Sequence, residues 1–130
     1  MQLGSGVRLR TGASGEKRHL TRWRAAVSVQ GRHNYQEEQH SARVYDISLE
    51  GATLIVEKNL HTATTATVTL FLPPKQPGQP VPVRVRGKLV YTLLGADGQF
   101  RAGVDFDEFI GDGKAVLSDA LSERIAIGSN

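Results

Sequence analysis

Two short clusters contain residue types suited to binding an anionic ligand. The segment Arg18–Arg22, with sequence RHLTR, places two arginines four positions apart. Each planar guanidinium can donate two parallel hydrogen bonds to a phosphate. The segment Asp46–Gly51, with sequence DISLEG, combines a carboxylate, a hydroxyl and a glycine. Asp and Ser bond nearby backbone groups in turns, and Gly can take a positive φ, so we predict a turn here.

The positive charge of the chain is concentrated at its N-terminus. Residues 1 to 32 contain seven basic side chains and one acid, a balance of +6, whereas the other 98 residues contain nine basic and twelve acidic groups, a balance of −3. Nucleic acid, membrane phosphates and a small phosphorylated ligand all fit such a basic arm. An exposed basic arm that only keeps the protein soluble fits as well.

Motifs for catalysis and metal binding are incomplete in this sequence. The chain has no cysteine, which excludes disulfides and thiolate metal sites, and its four histidines lack zinc spacing. The segment Gly111–Lys114 suggests a phosphate loop, but Glu108 stands at the first glycine position and Ala115 at the Ser/Thr position. We therefore predict no enzyme activity, no metal and no cofactor.

The elements that must position the two clusters are mainly strands, because apolar residues recur with period two along most of the chain. Five prolines between Pro73 and Pro82 predict a long hairpin loop, and Asp97–Gly98 predicts a tight turn. In the strand after the prolines, the alternation places Val83, Val85, Leu89, Tyr91 and Leu93 on one face, with a bend or bulge at Gly87. The predicted strands are Arg24–Gln30, Ser41–Ile47, Ala52–Glu57, Ala66–Leu72, Val83–Leu94 and Gln99–Phe106.

The period changes to helical spacing at the C-terminal end. Asp112 is a candidate N-cap for this helix. Six short strands with no helices between them predict an antiparallel barrel or sandwich, and a barrel would remove exposed edges. The apolar positions of the predicted helix are Val116, Leu117, Ala120, Leu121 and Ile125.

The two clusters, in this order and strand context, resemble the R-x-x-x-R and D-x-S-x-x-G signature of PilZ domains. The segment Gly103–Phe106 resembles the G-V-x-F stretch of the last barrel strand in that family. The resemblance implies a six-stranded antiparallel β-barrel of the split-barrel type, with a C-terminal α-helix and a flexible N-terminal arm. We expect a lead-in over residues 1–15, the PilZ-like domain over 16–126 and a tail over 127–130.

The resemblance implies a receptor for the bacterial second messenger cyclic diguanylate (c-di-GMP). In the family, the two arginines clamp phosphate and guanine, which corresponds to Arg18 and Arg22 here, with Lys17 and Arg24 as helpers. Arginine suits both groups because it can also bond the O6 and N7 edge of guanine. The R-x-x-x-R segment is predicted to lie on a loop, so the arm would fold over the nucleotide and that ordering would be the signal.

The second motif supplies the complementary groups. Asp46 would accept hydrogen bonds from the N1–H and N2–H₂ groups of guanine. Ser48 would add a hydroxyl and orient the turn, and Gly51 would let the backbone approach the ligand closely.

Location and partners follow from the same resemblance. It implies a cytoplasmic protein without membrane insertion, no DNA partner, and control of motility, biofilm or exopolysaccharide. The partner would be a flagellar, pilus or polysaccharide-synthesis component or an attached domain. Two alternatives stay open: a basic barrel that binds nucleic acid, with Trp23 and Tyr35 stacking on bases, and an interaction module that binds no nucleotide.

Overall fold

The computed structural model describes residues 18–30, 37–60, 62 and 64–126. The expected lead-in and tail, Lys17 and Tyr35 therefore lie outside the described residues. Within them, the chain forms β1 (His19–Leu20), β2 (Arg24–Gln30), β3 (Glu37–Ile47), β4 (Gly51–Val56), β5 (Thr65–Leu72), β6 (Val81–Leu94), β7 (Phe100–Phe109) and α1 (Gly113–Ala126).

Six of these strands close into an antiparallel barrel. Neighbouring strands follow the order β3, β2, β5, β6, β7 and β4, and β4 pairs with β3 to complete the circle. The short strands β1 and β2 both pair with β3 on the same side. β2 pairs with its first part, and β1 pairs with its end, where His19 lies opposite Ile47 and Leu20 opposite Asp46. The predicted six-stranded barrel with a C-terminal helix is confirmed.

Alternate residues of each strand fill the barrel interior, as the period-two pattern predicted. In β5, for example, every second residue is buried and the residues between are half-buried or exposed. The helix α1 adds Leu117 and Leu121, which are 0% and 5% exposed and belong to the same core. Asp112 occupies the N-cap position, because its carbonyl accepts the first intrahelical bond from Val116 N at 3.1 Å. No helix in the described part of the chain is long and apolar enough to cross a membrane.

The second half of β6 departs from the predicted alternation. Tyr91 and Leu93 were expected on the inward face, but they are 38% and 62% exposed. Leu89 pairs with Val104 and Tyr91 with Gly103, so Val90 is an extra residue in a β-bulge. A bulge shifts the alternation by one residue, which turns the following side chains to the outside. A second register shift lies between Arg86 and Gly87, where Asp107 is the extra residue. The bulged strand is therefore β7, opposite Gly87, and not the strand that contains Gly87.

The proline-rich loop and the tight turn were predicted with different success. Pro82 lies inside β6, opposite Phe71, and not in the loop. It stands next to the first residue of the strand, where a missing N–H is tolerated. The Asp97–Gly98 turn is confirmed, since Gly98 has a φ of +82° and Gly95 N donates to Gln99 O at 2.7 Å.

Candidate nucleotide-binding site

Arg18 and Asp46 lie side by side where β1 pairs with the end of β3. Arg18 Nη1 is 3.3 Å from Asp46 Oδ1, and the two side chains are 25% and 22% exposed. Both atoms are shielded from solvent, yet their contact does not have hydrogen-bond geometry. The pair therefore retains donors and acceptors that a ligand can use.

The backbone of the R-x-x-x-R segment is attached to β3. Besides the β1 pairing, Thr21 N donates to Tyr45 O at 3.3 Å, and Val44 N donates to Trp23 O at 2.8 Å. The expectation that this segment is a loop is therefore wrong for its central residues, because β3 supplies backbone partners for them. Trp23 is 8% exposed and belongs to the core, so it offers no face for stacking on a base.

A bulge in β3 aims the side chains around Asp46. Val44 pairs with Leu54 and Asp46 with Thr53, which leaves Tyr45 as the extra residue. Tyr45 is 45% exposed, and its ring centre lies 5.7 Å from the guanidinium carbon of Arg101. Bulges often re-aim a side chain next to a functional site. Sequence reasoning missed Tyr45 because a bulge leaves no periodic signal.

The second arginine of the motif borders a different part of the surface. Arg22 is exposed and forms no ion pair with another described residue. It lines an open cleft of about 750 Å³, which we call the Arg22 cleft. Arg24 is also exposed, but it lines a neighbouring cleft. The other residues of the Arg22 cleft are Leu20, Thr21, Trp23, Arg43, Val44, Tyr45 and Ile55.

The D-x-S-x-x-G segment forms the predicted turn between β3 and β4. Ser48 N donates to Gly51 O at 2.9 Å, and Ser48 Oγ accepts from Glu50 N at 3.1 Å. Ser48 is 1% exposed, so in this structure its hydroxyl organises the turn.

Gly51 has a packing reason to be glycine. It lies opposite Asp105 of β7, and a Cβ built at this position would be 2.5 Å from Val104 O. The expected positive φ is not found here, because among the described glycines it occurs at Gly78, Gly98 and Gly111. The small size of Gly51 thus allows β4 and β7 to approach each other.

The described residues bring no three histidine or acidic side chains together in a way that could hold a metal ion. The side chains that border the site are guanidinium groups, a carboxylate and an exposed tyrosine. These groups bind phosphates and the hydrogen-bonding edges of bases.

A family model of the PilZ domain matches residues 16–122. The chain belongs to the PilZ domain family. PilZ domains are non-enzymatic receptor domains that bind cyclic diguanylate. In this PilZ domain, Arg18 contacts Asp46, Arg22 borders the open cleft, and Ser48 and Gly51 form the adjoining turn.

A solved structure with the same fold is that of the inhibitor of motility MotI/DgrA from Bacillus subtilis, with a TM-score of 0.67 and 12% sequence identity. The match covers 92% of this PilZ domain chain and 53% of that protein, so the chain spans about half the length of MotI/DgrA. A search of curated protein sequences gave no match.

Proposed function

We propose that this PilZ domain is a cytoplasmic receptor that binds cyclic diguanylate through Arg18, Arg22 and Asp46. The observation that carries the proposal is the contact between Arg18 and Asp46 at 3.3 Å, which joins the first residue of one motif to the first residue of the other. The exposed guanidinium of Arg22 lies beyond β1 on the adjoining cleft. Two phosphates and two guanines would thus meet two arginines and one carboxylate.

The ligand would exchange partners with the existing ion pair. Guanine N1–H and N2–H₂ would donate to the Asp46 carboxylate, and Arg18 would turn to a phosphate or to the O6 and N7 edge of a base. Because the ligand supplies a new partner to each group, neither charge is left unpaired when the present ion pair separates. Arg22 would hold the second group from the cleft side.

The remaining motif residues would act mainly by shaping the site. Ser48 and Gly51 would hold the turn that follows Asp46, and Gly51 would also leave room for the ligand beside the turn. Lys17 and Arg24 would add positive charge. In this assignment the direct contacts belong to Arg18, Arg22 and Asp46.

The signal would pass through the N-terminal arm. β1 is two residues long and pairs with Asp46 and Ile47. A base bound to the Asp46 carboxylate would therefore act on the residue that pairs with Leu20, and so on the position of β1. We expect the domain to comprise residues 16–126 and the reordered surface to act on a flagellar, pilus or polysaccharide-synthesis component or on an attached domain. Motility, biofilm or exopolysaccharide would be the output, and MotI/DgrA is itself described as an inhibitor of motility.

The test is calorimetric titration of cyclic diguanylate into the wild-type protein and into Arg22→Ala and Asp46→Ala. We expect saturable binding in the wild type and at least a tenfold loss of affinity in each variant. The matched control is Arg84→Ala, since Arg84 is an exposed strand arginine on β6 outside the site. Titration with GTP tests whether the cyclic dinucleotide is required.

Two results would overturn the proposal. One is the absence of heat and of a thermal shift with folded wild-type protein. The other is an equal loss of affinity in Arg84→Ala, which would reduce the effect to general charge. Amide hydrogen exchange of residues 19–23, with and without nucleotide, tests the relay, and unchanged exchange on saturation would contradict it.

A further inference from the structure

A row of outward-facing side chains crosses five strands beside the Arg22 cleft. Arg24 lies opposite Arg43, Arg43 opposite Ile55, Ile55 opposite Arg101, and Arg101 opposite Leu93. Directly opposite residues of antiparallel strands project from the same face. We call these five residues, on β2, β3, β4, β7 and the end of β6, the arginine row.

The two arginines at the basic end of the row have no ion-pair partner among the described residues. Arg24 and Arg43 are both exposed, and directly opposite positions place their Cβ atoms about 5 Å apart. Like charges in this arrangement destabilise a sheet. Neither arginine forms an ion pair within the described part of the chain. Arg101, by contrast, forms an ion pair with Asp97, whose Oδ2 lies 3.4 Å from Arg101 Nη2.

The other end of the row exposes apolar surface. Leu93 is 62% exposed, and Ile55, which is separated from it by Arg101, is half-buried. Tyr45, 45% exposed, lies next to this end with its ring near Arg101. Arginine together with aromatic and aliphatic side chains is typical of protein interfaces, where charged residues of other types are depleted.

Nucleic acid fits this surface less well than protein. Residues 18–126, which include Arg24, have a charge balance of only +1, from thirteen basic and twelve acidic groups, and Glu57 lines the same cleft as Arg24 and Arg43. A phosphate backbone needs a longer run of cations to bind with useful affinity. Trp23, which could stack on bases, is buried.

We infer that the arginine row is the docking surface for an acidic, amphipathic segment of a partner protein. Carboxylates of that segment contact Arg24 and Arg43, and its apolar side chains pack on Ile55 and Leu93. Charge complementarity commits the surface to this partner, because Arg24 and Arg43 gain ion-pair partners that the described residues do not provide.

The docking surface adjoins the proposed nucleotide site. Arg43 and Ile55 line both the Arg22 cleft and the cleft beside Arg24. A nucleotide in the Arg22 cleft therefore changes the surroundings of two residues of the row. This link rests on the proposed function, whereas docking of the acidic segment does not require the nucleotide.

The experiment uses fluorescence anisotropy with three labelled probes: a peptide of alternating Glu and Leu, the same peptide with Lys in place of Glu, and a single-stranded DNA oligonucleotide. We expect saturable binding of the acidic peptide to the wild-type protein and at least a tenfold weaker affinity for Arg24→Glu and Arg43→Glu. Arg84→Glu changes the net charge equally at an exposed strand arginine outside the row, and we expect less than a twofold effect. Circular dichroism confirms that each variant is folded.

Three outcomes overturn the inference: no saturable binding of the acidic peptide at millimolar concentration, an equal loss in Arg84→Glu, or tighter binding of the DNA than of the peptide. Two further variants separate this inference from the proposed receptor function. Leu93→Ser is expected to lose peptide affinity and to retain nucleotide binding. Asp46→Ala is expected to lose nucleotide binding and to retain the peptide in nucleotide-free buffer.

Discussion

In two turns of this PilZ domain, a side-chain oxygen accepts a hydrogen bond from the backbone N–H two residues later. In the motif turn, Ser48–Gly51, the Ser48 Oγ acceptor is 3.1 Å from its donor. In the hairpin turn, Asp97–Gly98, the Asp97 Oδ1 acceptor is 3.0 Å from its donor. The surroundings are opposite, because Ser48 is 1% exposed and the Asp97 side chain is 49% exposed.

The glycines of the two turns also differ in what requires them. Gly98 has a φ of +82°, and a Cβ at this position would have no neighbour within 4 Å. Gly51 has no such φ, but its Cβ would meet Val104 O at 2.5 Å. The hairpin turn thus needs glycine because of its backbone conformation. The motif turn needs glycine because it packs closely against the barrel. A turn motif beside a proposed binding site can therefore owe its glycine to barrel closure as much as to a ligand.

The largest expected effect is that of Gly51→Ala. The added Cβ would collide with the backbone of β7, which cannot move aside without disturbing the pairing of β4 and β7. We expect the free energy of unfolding to fall by about 3 kcal/mol, measured by urea denaturation. Gly98→Ala is the matched control, with an expected loss of about 1 kcal/mol from the unfavourable φ alone. Equal losses in the two variants would contradict the difference drawn between the turns.

Ser48→Ala should have a smaller effect on stability. Alanine fits the buried position but removes the acceptor for Glu50 N, and we expect a loss of about 1 kcal/mol in the free energy of unfolding. Because the turn follows Asp46, we also expect a severalfold weaker affinity for cyclic diguanylate, measured by the same titration. If stability is unchanged while nucleotide binding is abolished, the hydroxyl contacts the ligand directly and does more than orient the turn.

Sequence predicted most of the barrel because its signals are local and repeated. Alternation of apolar residues gave the strands, and Asp97–Gly98 and Asp112 gave a turn and a helix start. The two motifs predicted the family and the importance of Arg18 and Asp46, whose side chains are in contact.

The features that sequence did not predict depend on the relative position of distant strands. The bulges at Tyr45 and Val90 are set by the register between neighbours, and the exposure of Tyr91 and Leu93 follows from the second bulge. The close contact that explains Gly51 is with Val104 of β7. The arginine row forms because the registers of four neighbouring strand pairs bring its residues opposite one another. Such relations have no period or motif along the chain.

The smallest expected effect concerns Asp97→Asn at the hairpin turn. The hydrogen bond from Gln99 N–H, with a further contribution from Arg101, holds the pKa of Asp97 below its ordinary value of 3.8. The charged form is therefore favoured in the folded state, and its contribution is present above about pH 4 and lost as the pH falls through the lowered pKa. Asparagine keeps an acceptor but carries no charge, so a small difference in unfolding free energy between wild type and variant should stay constant from about pH 7 to 5 and shrink below pH 3.8. Urea denaturation at matched ionic strength measures it. A difference that already shrinks between about pH 7 and 5 would contradict the lowered pKa of Asp97, because a carboxyl group with a pKa below 3.8 stays charged in that range.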